Sequence, residues 1–329
     1  MTISVICQIR IICGLKTSKM NSFNKLIVIL GPTASGKTHL AVQLAHQIDG
    51  EIISADSRQV YRGMYIGTGK DLEEYTVENQ AIPYHLIDIL DAGEQYHIHL
   101  FQQDFLRVYN DIIARGKNPI LCGGSGMYLE AVLKGYEFTS IPINEDLRIN
   151  LLEKSTEELI VIFQEIPSEY TQKADISTRK RLIRAIEINQ FLRHNPDFSL
   201  SLPNIPKFII FGLNPETELR RMSITKRLQH RLEHGMIEEV KALINKGIPP
   251  EKLIFYGLEY KFITQYLAGE MPYEIMVERL NVAIHQFAKR QMTYFRKMER
   301  DGLKINWLSN NLPLDKKLVE ITTKIFVNV

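Results

Sequence analysis

Several things are scarce in this chain. Its 329 residues hold only three cysteines, Cys7, Cys13 and Cys122, at no metal-ligand spacing. So few thiols exclude a disulfide-stapled secreted module and fit a reducing cytoplasm. Net charge is small as well: 40 Lys and Arg against 38 Asp and Glu leave +2. No bulk basicity announces nucleic acid, so any such surface must be local. No apolar run reaches membrane-spanning length. No internal repeat and no low-complexity segment is present. What remains, 45% hydrophobic and 24% charged, is the composition of a globular protein with one large or two moderate domains.

Residues 1–21 are apolar but interrupted, with Gln8 and Arg10 inside Ser4-Val5-Ile6-Cys7-Gln8-Ile9-Arg10-Ile11-Ile12-Cys13. A secretory signal puts its positive charge first. The expectation is a non-essential extension from an upstream start codon, with Met20 the natural beginning. The alternative is an extra strand or short helix on the core.

The organising stretch is Gly31-Pro32-Thr33-Ala34-Ser35-Gly36-Lys37-Thr38, which meets the P-loop pattern G-x-x-x-x-G-K-[ST] at every position. Lys25-Leu26-Ile27-Val28-Ile29-Leu30 before it reads as a buried strand. Leu40, Leu44 and Ile48 after it give the stripe of a helix starting near Lys37. Loop N–H groups and a helix N-terminus together cradle phosphate. Lys37 adds a point charge for a terminal phosphate, and the Thr38 hydroxyl is the expected Mg²⁺ ligand. The motif says that a di- or triphosphate binds, not what becomes of it.

Ile52 and Ile53 read as a second strand, ending in the polar cluster Ser54-Ala55-Asp56-Ser57-Arg58-Gln59. In open α/β sheets ligands gather at the carboxyl ends of strands, so Asp56 either faces the phosphate site or caps a following helix. Arg62 to Lys70 is a glycine-punctuated loop, either a mobile substrate-contacting segment or a turn. Tyr84 to Leu90 reads as a third strand, its Asp88 a candidate for orienting the metal's water shell, or a strand-end Asp with no such role. His97 and His99 read as surface or helix-cap residues. Phe101, Phe105, Val108 and Ile112 give a helix face, and Pro119 to Cys122 a fourth strand, with Cys122 in the core. That strand runs into Gly123-Gly124-Ser125-Gly126-Met127-Tyr128, a second glycine turn opening a helix.

Strand signals vanish from 139 to 203. Helical patterns run from Glu145 to Ile166 and from Ser177 to His194, the latter carrying Arg179-Lys180-Arg181-Leu182-Ile183-Arg184. Phe208 to Leu213 returns to strand, and Thr217 to Lys246 is helical. The stretch Val282 to Lys297 mixes cations with aromatics, as suits phosphates and unstacked bases. The fold class expected is α/β: a P-loop NTPase-like core with a parallel sheet and helices on both faces, plus an α-helical insertion domain. The core is expected at 22–138 and 204–310, the insertion at 139–203, and a C-terminal tail at 311–329.

The chain resembles the tRNA dimethylallyltransferase family. The resemblance runs from about Leu26 to Trp307. Its motifs, in order, are the P-loop, Ile52 to Lys70, His85-Leu86-Ile87-Asp88, Gly123 to Tyr128, Arg181-Leu182-Ile183-Arg184-Ala185-Ile186-Glu187, and Ala288-Lys289-Arg290-Gln291. The resemblance implies a P-loop that holds the diphosphate of dimethylallyl diphosphate with Mg²⁺, rather than ATP as a reactant. It implies prenylation of N6 of the adenosine next to the anticodon, in tRNAs reading codons that begin with U. Asp56 takes the role of general base. Ser125, where the family usually has Thr, touches the reacting adenosine, and Arg227 helps the diphosphate leave. The implied tRNA contacts are Asp56, Ser57, Arg58, Gln59, Ser125, Arg148, Lys180, Arg181, Leu182, Ile183 and Arg184. Ile284, His285, Gln286, Phe287, Ala288, Lys289, Arg290 and Gln291 complete them.

The chain departs from the family pattern at Gly257-Leu258-Glu259-Tyr260-Lys261, Ile284-His285, Tyr294 and Ile176-Ser177. The partners implied are the tRNA anticodon stem-loop and dimethylallyl diphosphate, for a cytoplasmic monomer with no membrane. The rivals are a P-loop nucleoside or nucleotide kinase, an adenylate isopentenyltransferase, and a non-catalytic RNA-binding protein with a relict P-loop.

Overall fold

In the computed structural model the described residues are 25–198 and 206–327. The extension expected at 1–21 lies outside them. Strand β1 (Leu26–Leu30) has five apolar residues, all buried. Its alternate side chains feed two different cores. Leu26, Val28 and Leu30 join one cluster, whereas Ile27 and Ile29 join the other. A continuous apolar run is what a parallel strand covered on both faces requires. Each such side chain contributes about 1.5–3 kcal/mol on burial.

Helix α1 (Lys37–Ile48) follows the P-loop and buries Leu40, Ala41, Leu44 and Ile48. Then come β2 (Gly50–Ser54), a separate antiparallel ribbon of β3 (Thr76–Val77) and β4 (Gln80–Ala81), and β5 (Tyr84–His85). Next are α2 (Ile98–Ala114), β6 (Asn118–Gly123) and α3 (Gly126–Lys134). The main sheet has six strands in the order β5-β2-β6-β1-β7-β8, every pair parallel. It is completed by β7 (Phe208–Leu213) and, after the last long helix, by β8 (Ile305–Leu308).

Gly135–Asn204 forms a compact unit of its own. It contains α4 (Glu145–Leu152), α5 (Thr156–Glu165) and α6 (Arg179–His194). Its core is Leu151, Leu159, Phe163, Leu182, Ile183, Ala185 and Ile186. The helix expected over 145–166 is two helices, because Ser155 and Glu158 form a capping box that starts a new one.

The remaining elements belong to the sheet unit. They are α7 (Thr217–Glu233), α8 (Met236–Asn245), α9 (Pro250–Leu253), α10 (Leu258–Leu267), α11 (Tyr273–Arg300) and α12 (Leu314–Val327). Three sequence expectations are corrected here. The third strand stops at His85, because Leu86 (φ 61°) and Asp88 (φ 55°) turn left-handed. Leu86 and Ile87 are nonetheless buried, which is why the run mimicked a strand. The helix expected over 217–246 divides at Gly235, whose φ is 94°. The tail expected at 311–329 contains α12, which buries Leu318, Ile321 and Ile325 in the same core as Ile27 and Ile29. Among the described residues, no helix is long and apolar enough to cross a membrane.

Candidate active site

The P-loop runs from the end of β1 to the start of α1. Ala34 (φ 59°) and Gly36 (φ 78°) are left-handed, and such alternation turns successive N–H groups toward one side. Lys37 opens α1, with its Nζ 3.5 Å from the Pro32 carbonyl. Burial lowers its pKa, an effect that the nearby Asp56 carboxylate opposes. Burial pushes the Cys122 thiol up to about 12, so it stays neutral at pH 7. The Ser35 hydroxyl is buried without a hydrogen-bond partner, an unspent polar group inside the loop.

Thr33 is gripped from two helices. Its N–H donates to Gln291 Oε1 of α11 at 2.8 Å. Its hydroxyl accepts from the Arg227 guanidinium of α7. Burial, then neighbouring Arg231, brings Arg227 down to about 10, which still leaves it a cation at pH 7. Arg231, one turn on, is tied to Asp71 at 3.1 Å. Glu259 faces both arginines, and burial raises its pKa. Glu74 is raised in the same way, by burial and then by Asp71.

Asp56 leaves the carboxyl end of β2. No helix follows it, so the capping reading falls away. Instead its Oδ1 accepts the N–H of Arg58 at 2.9 Å, closing a local turn. The Ser57 N–H donates to Ser125 Oγ at 3.1 Å, knitting this turn to the glycine turn after β6. The turns touch so closely that a Cβ on Gly123 would lie 2.2 Å from the Ala55 carbonyl.

These groups share one cleft of about 650 Å³. Thr33 to Thr38, Asp56 to Gln59, Ser125, Arg227, Ile284, Phe287, Arg290 and Gln291 all line it. A phosphate cradle, a carboxylate and a hydroxyl therefore open onto a common volume. Two exposed aromatics line it: Phe255 is 73% exposed and Phe287 40% exposed, the latter with the Arg290 guanidinium 6.0 Å from its ring centre.

The sequence model of the IPP transferase family (IPPT) matches residues 59–298. The chain belongs to that family. A tRNA dimethylallyltransferase of Bacteroides fragilis is 51% identical over 300 residues, 91% of this chain and 97% of that one. Another, from Porphyromonas gingivalis, is 54% identical over 292 residues, 89% and 96% of the two chains. The crystal structure of the full-length tRNA isopentenylpyrophosphate transferase from Bacillus halodurans is 32% identical. It covers 92% of this chain and 96% of its own, with a TM-score of 0.68.

Within this IPP transferase cleft the expected residues separate into groups. Gly31 and Pro32 are buried below it, and Pro32 offers only its carbonyl to Lys37. Ile284 and Ala288 are core residues of α11, and of the two only Ile284 also lines the cleft. Gln286 and Lys289 are exposed on that helix. His285 sits outside the cleft lining, its Nε2 3.4 Å from Thr225 Oγ1. Burial, Arg221 and Arg220 hold its pKa down. Gln59 looks inward, donating to the Gly69 carbonyl at 3.1 Å. In the helical unit, Leu182 and Ile183 form the core, which corrects their expected role as RNA contacts. Arg148 grips the buried Glu187 with two bonds of 2.7 and 3.0 Å, and Arg184 reaches the same carboxylate. Lys180 and Arg181 are exposed, the latter paired with Asp175.

Of the two readings of Asp88, the one without a metal role fits: it is ion-paired with the buried Lys70 and does not line the cleft. The loop from Arg62 to Lys70 is pinned: the N–H groups of Tyr65, Ile66 and Gly67 converge on Glu239 at 2.7 to 3.0 Å. Sequence reasoning missed Asp71, Glu74, Arg231, Phe255 and Glu259 as cleft residues. The i,i+4 spacing of Arg227 and Arg231 is the one signal that could have found any of them.

Proposed function

We propose that this cleft transfers a dimethylallyl group from dimethylallyl diphosphate to N6 of the adenosine next to the anticodon, in tRNAs reading codons that begin with U. The observation that carries the reading is the shared cleft, with a P-loop on one wall and Asp56 and Ser125 on another. Family membership supports it. The adenine N6 is a poor nucleophile because its lone pair is delocalised into the ring. As the bond from N6 to the allylic carbon forms, the carbon–oxygen bond to diphosphate breaks and an N6 proton passes to Asp56. Such general-base help is worth on the order of 10²–10⁴ in rate. Lys37, Arg227 and the loop N–H groups stabilise the charge growing on the departing diphosphate. Ser125 orients the base.

Thr38 lines the cleft beside Lys37, where a hydroxyl fits Mg²⁺ otherwise held by diphosphate oxygens and water. Thr38 would supply the hydroxyl, and the ion would neutralise leaving-group charge. The target base must leave its stack at a cost of a few kcal/mol. Phe287, Arg290 and Phe255 at the rim offer faces to offset it. A tRNA substrate supports a cytoplasmic enzyme.

The test is a substrate panel: labelled dimethylallyl diphosphate, and separately ATP, each offered tRNA, AMP and nucleosides. The expected result is label on tRNA alone. Phosphate transfer from ATP would identify a kinase. Label on AMP would identify an adenylate isopentenyltransferase, and no turnover would leave an RNA-binding protein.

A further inference from the structure

Gln291 uses both ends of its side-chain amide inside the protein. Oε1 accepts the Thr33 N–H at 2.8 Å, and Nε2 donates to the Gly124 carbonyl at 2.9 Å. The residue is 8% exposed. A Cβ on Gly124 would lie 2.5 Å from that Nε2, so the amide occupies the space a side chain there would need. Tyr294 repeats the arrangement three residues along α11. Its ring stands 2.4 Å from where a Gly126 Cβ would be, and its hydroxyl donates to Glu130 at 2.6 Å. Glu130 is fully buried and also holds Lys297 of α11 at 2.9 Å. The helix is thus fastened beside the glycine turn, and Gln291 is the strut from it to the P-loop.

The two loops it joins carry opposite halves of the proposed reaction. The Thr33 loop cradles the diphosphate. The Gly124 turn carries Ser125, which is bonded to the Asp56 segment. We propose that Gln291 is a positioning residue: it sets the separation between the leaving-group cradle and the acceptor side of the cleft. This rests on the prenyl-transfer reading. It gives Gln291 a role inside the protein besides the expected RNA contact, since each end of its amide already makes one internal bond.

The experiment uses two variants that attack the same contact from opposite sides. Gln291→Met keeps the length and removes both bonds. Gly124→Ala pushes a methyl group into the amide, and its backbone is not in the left-handed region. Each is expected to lower kcat for tRNA prenylation about 100-fold, the scale of an ångström's misplacement. KM for dimethylallyl diphosphate, and Kd for inorganic diphosphate with Mg²⁺, should stay within about threefold of wild type, because uniform binding is untouched. Adding Gly124→Ala to Gln291→Met should cost less than about threefold more, since the two act through one contact. An unchanged kcat in either folded variant would overturn the proposal. So would a loss of diphosphate affinity that tracks kcat, because the amide would then merely build the cradle. Failure of the underlying reading looks different: wild type would bind diphosphate yet prenylate no RNA.

Discussion

The two oxygens of Asp56 have separate uses. Oδ1 is held by the Arg58 N–H, which fixes the carboxylate's direction. Oδ2 has no hydrogen-bond partner among the described residues, and in the proposed reaction it is the oxygen that would meet the amine. Asp56→Asn keeps the turn and removes the base. It is expected to lower kcat by about 10²–10⁴ while leaving affinities for tRNA and dimethylallyl diphosphate within about threefold. Steady-state kinetics and equilibrium binding measure both, and near-normal turnover would remove Asp56 from the base role. At this scale the P-loop was fully legible, because its chemistry is contained in eight consecutive residues. Gln291 as a strut was not, because its partner Thr33 lies 258 positions away. Glu259 gave no signal either, since its burial against Arg227 and Arg231 arises only when α10 meets α7.

Strands were legible where both faces are covered. β1 is apolar throughout and β6 is apolar from Pro119 on, as covered central strands require. β8 and α12 are not legible in the sequence: β8 is only four residues long, and α12 lies in the stretch expected to be a tail. β2 carries a charge that its pattern does not explain. Glu51 is 5% exposed, with its Oε2 2.6 Å from Arg115 and 2.7 Å from His85. Burial pushes its pKa up, but the hydrogen bonds from Arg115 and His85 outweigh it and leave the carboxyl below its ordinary 4.5. A folded-state pKa below the unfolded one gives stability that is complete above the unfolded value. That stability is lost as pH falls through the folded value. Glu51→Gln is therefore expected to cost roughly 2 kcal/mol at pH 7 and distinctly less at pH 3. Denaturant unfolding at the two pH values checks this, and an equal cost at both would contradict it.

For the molecule as a whole, the P-loop motif and the alternation of strand and helix foretold the parallel sheet. The loss of strand signals after residue 138 foretold a helical segment. Which side of that segment carries charge was not legible. Lys180 and Arg181 are adjacent to Leu182 and Ile183 in sequence, yet only the packing of α6 against α5 shows which pair is inside. The net charge of +2 reflects a near balance of 40 Lys and Arg against 38 Asp and Glu, and says nothing of where the exposed cations lie. The measurement that tests the account most directly is the position of the prenyl group in a mixed tRNA pool incubated with the protein, Mg²⁺ and dimethylallyl diphosphate. Digestion and mass spectrometry are expected to find it on N6 of the adenosine beside the anticodon, in tRNAs reading codons that begin with U, with one diphosphate released per group transferred. Modification at any other atom, or consumption of ATP with no prenyl transfer, would contradict it.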